Sequence, residues 1–121
     1  PAKEDKPFQE FVTQDLLPGI QASLEKGGIT DLQLSFEERP LPITGDRCWQ
    51  VRGLWAGGQR RFLIGFSQEN LTAPKVFALA EGGVEPSQLE AFLIDEKKIT
   101  LDLITFWVSR RLNGQKWLGL N

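Results

Sequence analysis

Acid–base, nucleophilic and metal chemistry each need particular side chains, and this chain is poor in all of them. It has no His and no Tyr, and Cys48 is its one cysteine. Without His, no side chain has an unperturbed pKa near neutrality for proton transfer, and the thiol has no imidazole to activate it. Asp95-Glu96 is the remaining candidate for general acid and base work. The pair runs directly into Lys97-Lys98, the composition of a solvated junction, so it reads as surface rather than as a catalytic pair. Gly27-Gly28, Gly57-Gly58 and Gly82-Gly83 serve turns, because none carries the Lys and hydroxyl residue of a phosphate-binding loop. The expectation is a protein with no catalytic residue, no metal site and no cofactor of its own.

The residues that remain carry recognition chemistry, in two groups. One is Arg52, Leu54, Arg61 and Leu63, guanidinium groups alternating with aliphatic ones. The other is Arg110, Arg111, Lys116 and Trp117, cations beside an aromatic ring. Arg and Trp are favoured anchors at protein interfaces. The plainer readings are that the Arg stems cover the leucines of the first group and that the cations of the second complement a helix C-terminus.

The first group is placed by a β-hairpin. Cys48–Ala56 and Gln59–Phe66 flank Gly57-Gly58, a pair suited to the positive φ angles of a two-residue turn. With Ala56 opposite Gln59, Gly53 faces Phe62, Val51 faces Ile64 and Trp49 faces Phe66, all on one side. Arg52 with Leu63 and Leu54 with Arg61 then lie on the reverse side, open to a partner. Gly53 leaves room for the Phe62 ring. Leu32, Leu34 and Phe36 alternate with polar residues as a preceding strand, and Lys75–Ala80 reads as a following one. Asn70-Leu71-Thr72 matches a glycosylation sequon, taken as coincidental without a secretory signal.

Helices frame the strands. Phe8, Phe11, Val12, Leu16, Ile20 and Leu24 recur at spacings of three and four, with Pro18 inside the pattern to kink or divide it near Leu17 and Gly27-Gly28 to stop it. Ser87 and Glu90 form a capping-box pattern ahead of Phe92, Leu93 and Ile94, predicting a short helix. A last helix is predicted from about Thr100 to Leu112, stopped by Asn113-Gly114, with Trp117 and Leu118 folding back as a cap. Its polar residues Asp102, Thr105 and Ser109 occupy a strip of about 60°, leaving an apolar arc wider than one sheet requires. Either another helix or another protein covers the excess. The first helix is the preferred cover, which assigns most of Phe106-Trp107-Val108 to the core. The fold class is therefore α+β: an antiparallel meander of about four strands, one face covered by a kinked N-terminal helix and C-terminal helices, in the order α-β-β-β-β-α-α.

At 121 residues and 40% hydrophobic, the chain suits one domain, placed at 7–121, with 1–6 as a charged flexible tail that does not read as a signal peptide. The net charge of −2 provides no global field to gather nucleic acid, and the basic residues follow no RNA-binding motif. A single cysteine permits no intrachain disulfide and is compatible with a reducing compartment. Asp102 interrupts the richest apolar stretch, which falls short of the roughly 20 residues of a membrane span, so membrane association is expected to be peripheral.

Phe92-Leu93-Ile94-Asp95-Glu96-Lys97-Lys98-Ile99-Thr100-Leu101-Asp102-Leu103 and Arg111-Leu112-Asn113-Gly114-Gln115-Lys116-Trp117-Leu118-Gly119 are similar to the C-terminal signature of a small family from cyanobacteria and chloroplasts. Cys48-Trp49-Gln50-Val51 and Leu16-Leu17-Pro18 extend the likeness over residues 7 to 121. Long described as a domain of unknown function, that family resembles subunit V of the photosynthetic NAD(P)H dehydrogenase-like complex. The resemblance implies a non-catalytic, peripheral subunit of a complex that passes electrons from ferredoxin to plastoquinone in cyclic flow around photosystem I. It implies a place on the cytoplasmic side of the cyanobacterial thylakoid membrane, stromal in chloroplasts, near the hydrophilic arm and its ferredoxin-docking subunit S. Neighbouring arm subunits and ferredoxin itself are the implied partners, but no motif of the family assigns contact residues. Two other roles fit the same residues. The four Trp and eight Phe could line an apolar pocket for a lipid or quinone, or the chain could be a transient assembly factor of a thylakoid complex.

Overall fold

Alternation of apolar and polar residues through the middle of the chain produces one sheet with an inner and an outer face. The computed structural model describes residues 2–118. β1 (Gln33–Pro40), β2 (Arg47–Trp55), β3 (Arg60–Phe66), β4 (Lys75–Glu81) and β5 (Glu90–Ala91) lie in that order, each antiparallel to its neighbour. The β2–β3 register pairs Trp49 with Phe66, Val51 with Ile64 and Gly53 with Phe62, as the turn requires. A Cβ on Gly53 would run into the Phe62 ring, so the glycine makes space for it. Strand pairing stops at Trp55 and Arg60, and Ala56 joins Gly57 and Gly58 at positive φ. Asp31 accepts the Ala56 N–H at 2.8 Å, satisfying a donor that the early end of the ladder leaves free.

Helices cover the inner face. α1 (Phe8–Phe11) and α2 (Leu17–Lys26) are joined without a break by a wider π-helical stretch, Val12–Leu16. Pro18 brings no N–H and its ring crowds the carbonyl of residue 14, so the wider turn falls just where a regular α-turn would clash. The result is a helix with an irregular turn rather than two separate helices. Ile29 N–H returns to Leu24 C=O at 3.0 Å and Gly28 takes φ 101°, closing the end. α3 (Leu101–Gly114) is capped by Thr100, whose side chain accepts the Leu103 N–H at 3.1 Å. Glu4 accepts the orphan Leu101 N–H at 2.7 Å, and Lys6 pairs with Asp15 at 2.8 Å, so the leading residues are tied to the domain from Lys3 onward through a short 3-10 turn. α3 runs through Gly114, and its stop falls later than Asn113-Gly114: Lys116 takes φ 63° while Trp117 N–H bonds Leu112 C=O at 3.1 Å.

The core lies between the helices and the inner face. Phe11, Leu16, Ile20 and Leu24 from the first helical segment meet Ile104, Val108 and Leu112 from α3 over Val51, Phe62, Ile64, Phe66 and Phe77. Each such side chain stabilises the fold by roughly 1.5–3 kcal/mol of transfer free energy. α2 and α3 approach closely at Gly19, where an added Cβ would stand 3.0 Å from Leu101 Cδ1. Nearby, the Ser23 and Ser109 hydroxyls share a hydrogen bond of 2.6 Å. The polar strip of α3 therefore faces its neighbouring helix in part, and this turns other residues outward.

One predicted helix does not form. Residues 82–89 are a turn at Gly82-Gly83 followed by an irregular strap that leads to β5, and no helix spans Ser87–Ile94. The Ser87/Glu90 pattern is overruled by tertiary contacts: Ala91 and Glu90 pair with Val76 and Phe77, and the Phe92 ring stacks on Phe77 at 5.2 Å. A helix this short gains little against its nucleation cost, whereas pairing satisfies the β4 edge. The described residues are thus α+β, with five strands and a single C-terminal helix.

Candidate docking surfaces

The two groups of recognition residues occupy opposite sides of the domain and differ in how far their valences are already filled. On the outer face of the sheet, Leu63 is 1% exposed and Leu54 is half-buried. The strap reaches this face, with Pro86 buried and Glu85 aimed at both arginines. Arg52 Nη1 donates to Glu85 Oε1 at 3.0 Å, and Arg61 Nη1 donates to Glu85 Oε2 at 3.1 Å. Arg52 Nε also donates to Gln50 Oε1 at 2.9 Å, and the fully buried Gln50 donates in turn to Arg39 C=O at 2.9 Å. Burial alone would push the Glu85 carboxyl up, but the hydrogen bond from Arg52 and the charges of Arg52, Arg61 and Arg39 outweigh it and hold the group below its ordinary value. Leu63, expected to be open to a partner, is buried.

The C-terminal group is split. Arg111 is paired with Glu90 of β5 at 2.7 Å, which holds the end of α3 to the sheet edge. Trp117 lies edge-to-face on Trp55 at 5.5 Å with the Arg60 guanidinium 5.4 Å from its ring centre, so it caps the core as the fold-back predicts. Lys116 is exposed in the turn. Arg110 is also exposed, and its guanidinium stacks 5.5 Å from the centre of the Trp107 ring.

Trp107 and its neighbours are what reasoning from sequence assigned to the wrong side. Phe106 is 55% exposed and Trp107 37%, and the two rings stand edge-to-face at 5.6 Å. Only Val108 of that stretch enters the core. At about 100° per residue, Phe106 lies about 160° from the mean direction of Ile104, Val108 and Leu112, a signal that the helical wheel carries. Ile94, 67% exposed, continues the apolar surface. Between them a cleft of about 290 Å³ is lined by Phe92, Leu93, Ile94 and Trp107, with Glu90 and Arg111 among its polar groups. Phe106, Trp107 and Ile94 thus gather exposed apolar surface on this side of the domain.

The family described as a protein of unknown function, DUF2996, matches residues 2–119. The chain belongs to this family. No curated protein matches it in sequence. The match takes in both recognition groups, the strap and α3, so the arrangement described above lies within the family's extent.

Two buried groups in this family member complete the inventory of reactive side chains. Burial pushes the Cys48 thiol up, opposed by its hydrogen bond with Gln50, so the thiolate is disfavoured. Burial lowers Lys75, whose ammonium donates to Leu71 C=O at 2.7 Å and Ala73 C=O at 3.1 Å and thereby clasps the β3–β4 loop. In the same loop, Asn70 Oδ1 accepts the Thr72 and Ala73 N–H groups at 3.1 and 2.7 Å, a turn role for the sequon residue. Among the described residues no group of three or more His, Cys, Asp or Glu side chains is placed to hold a metal ion, and no helix is long and apolar enough to cross a membrane.

Proposed function

We propose that this chain is a non-catalytic docking subunit that attaches to its complex through the outer face of α3. The exposed Phe106–Trp107 pair, with Arg110 stacked on it, carries the reading. Two adjacent aromatic rings left in water are stabilised when a partner removes them from it, and a guanidinium beside them adds a directional contact. The motifs around Phe92–Leu103 and Arg111–Gly119 support a more specific reading, subunit V of the photosynthetic NAD(P)H dehydrogenase-like complex. In that role the chain stabilises the hydrophilic arm and ferredoxin-docking region, beside subunit S, peripheral to the thylakoid on its cytoplasmic or stromal side.

Within the core, packing speaks against a lipid or quinone site: the rings that would line it fill the space instead, Phe62 on Phe77 at 6.0 Å and Phe8 on Phe66 at 5.1 Å. That leaves the surface cleft beside Trp107 as the apolar space for that reading. Purifying the assembled complex through a tag on this chain, with and without added ferredoxin, tests the assignment. The arm subunits, subunit S included, are expected to come with it in stable proportion. Recovery of assembly intermediates alone would make the chain a transient factor, and absence of the arm would overturn the assignment.

A further inference from the structure

α2 and α3 run in the same direction, and a groove opens along their seam. Gly19 stands against Leu101 and Thr105, Ser23 bonds Ser109 at 2.6 Å and Gly27 meets Leu118, so rising residue numbers in one helix match rising numbers in the other. The groove measures about 500 Å³ and has exposed Phe106 as a wall. Its two ends carry opposite charges. Asp102 stands at the N-terminal end of α3 and Lys26 at the C-terminal end of α2, both exposed and neither with an ionic partner among the described residues. The floor between them is already satisfied, since Ser23 and Ser109 bond each other and the Thr105 hydroxyl donates to Asp102 C=O at 3.1 Å. Protein can cover such a floor without stranding a polar group.

We propose that this groove is the contact surface of a homodimer, with a second copy of this chain as its occupant. A two-fold axis through the middle of the groove exchanges its ends, so Lys26 of each copy meets Asp102 of the other and the two Phe106 rings meet near the axis. A groove with one acidic and one basic end is complementary to itself in this orientation. The helix dipoles favour the same arrangement. Within one copy α2 and α3 set like poles side by side, whereas the two-fold lays α3 of the second copy antiparallel to both. Phe106 belongs to this surface and to the docking face, so a paired chain separates before it docks. The pairing itself does not rest on the docking role.

Sedimentation velocity of the isolated full chain, from micromolar to millimolar concentration, is the test. The mass is expected to rise from one chain to two and no further, and to rise less readily at high salt. Lys26→Glu and Asp102→Lys should each raise the dimer dissociation constant at least about tenfold, and the double variant, which restores opposite charges across the axis, should recover most of that loss. Asp102→Lys sets a cation at a helix N-terminus; if circular dichroism shows it unfolded, Asp102→Asn takes its place and should weaken pairing and flatten its salt dependence. A chain that stays monomeric throughout, assemblies larger than two, or folded single variants that pair like wild type would overturn the dimer, as would a double variant no tighter than the single ones. No arm is present in this measurement, so each of these results leaves the docking role of α3 to its own test.

Discussion

The outer face of the sheet and the outer face of α3 both combine arginine with large apolar side chains, yet only one is open. On the sheet, Glu85 neutralises Arg52 and Arg61, and Leu63 is buried. On α3, Arg110 has the Trp107 ring as its neighbour, and Phe106 stays in water. The difference teaches that interface composition is not interface availability. A cation counts as a docking group only after its intramolecular partners are known, and Glu85 lies 33 residues from Arg52 in sequence.

The comparison breaks most sharply at Leu63. Because Leu63 is buried and Phe106 exposed, Leu63→Ala is expected to cost about 2–5 kcal/mol in urea unfolding, whereas Phe106→Ala stays within about 0.5 kcal/mol. Equal effects would erase the distinction between the faces. Arg52→Met follows: it leaves the buried Gln50 oxygen without its donor and Glu85 half unpaired, at about 1–3 kcal/mol, while Arg110→Met is near neutral. The cavity and the orphaned acceptor are separate mechanisms, so both results are needed.

A smaller effect concerns pH. Glu85 has a folded pKa below its unfolded one, so its contribution is present above the ordinary carboxylate range and is lost as pH falls through the lower, folded value. The stability advantage of the wild-type chain over Glu85→Gln should therefore shrink on acidification in denaturant melts. A gap that widened would contradict the stabilising contribution of the Glu85 pair. Smallest is the thiol: buried Cys48 should react with an alkylating reagent far more slowly in the native chain than in urea, while the α3 face, which has no thiol, is unaffected.

Much of the sheet was legible in sequence because two local signals coincide there. Alternation and the Gly57-Gly58 turn each dictate the pairing of Val51 with Ile64, and Gly53 opposite Phe62 agrees with both. The strap was not legible, because Ser87 and Glu90 present a helix signal that only the pairing of Ala91 with Val76 and the stacking of Phe92 on Phe77 overrule. The excess width of the apolar arc on α3 could be read, but not its direction. That direction is set by Gly19 and Ser23 of α2, which draw Thr105 and Ser109 toward themselves and leave Phe106 and Trp107 outside.

The central claim is that the face of α3 bearing Phe106 and Trp107 is where this chain docks. The most direct test is the affinity of Phe106→Ser/Trp107→Ser for the isolated hydrophilic arm, beside a thermal melt of the same variant. Binding should weaken at least about tenfold, as expected when an interface loses its aromatic anchors, with the melt almost unmoved. Wild-type affinity in that folded variant would contradict the claim.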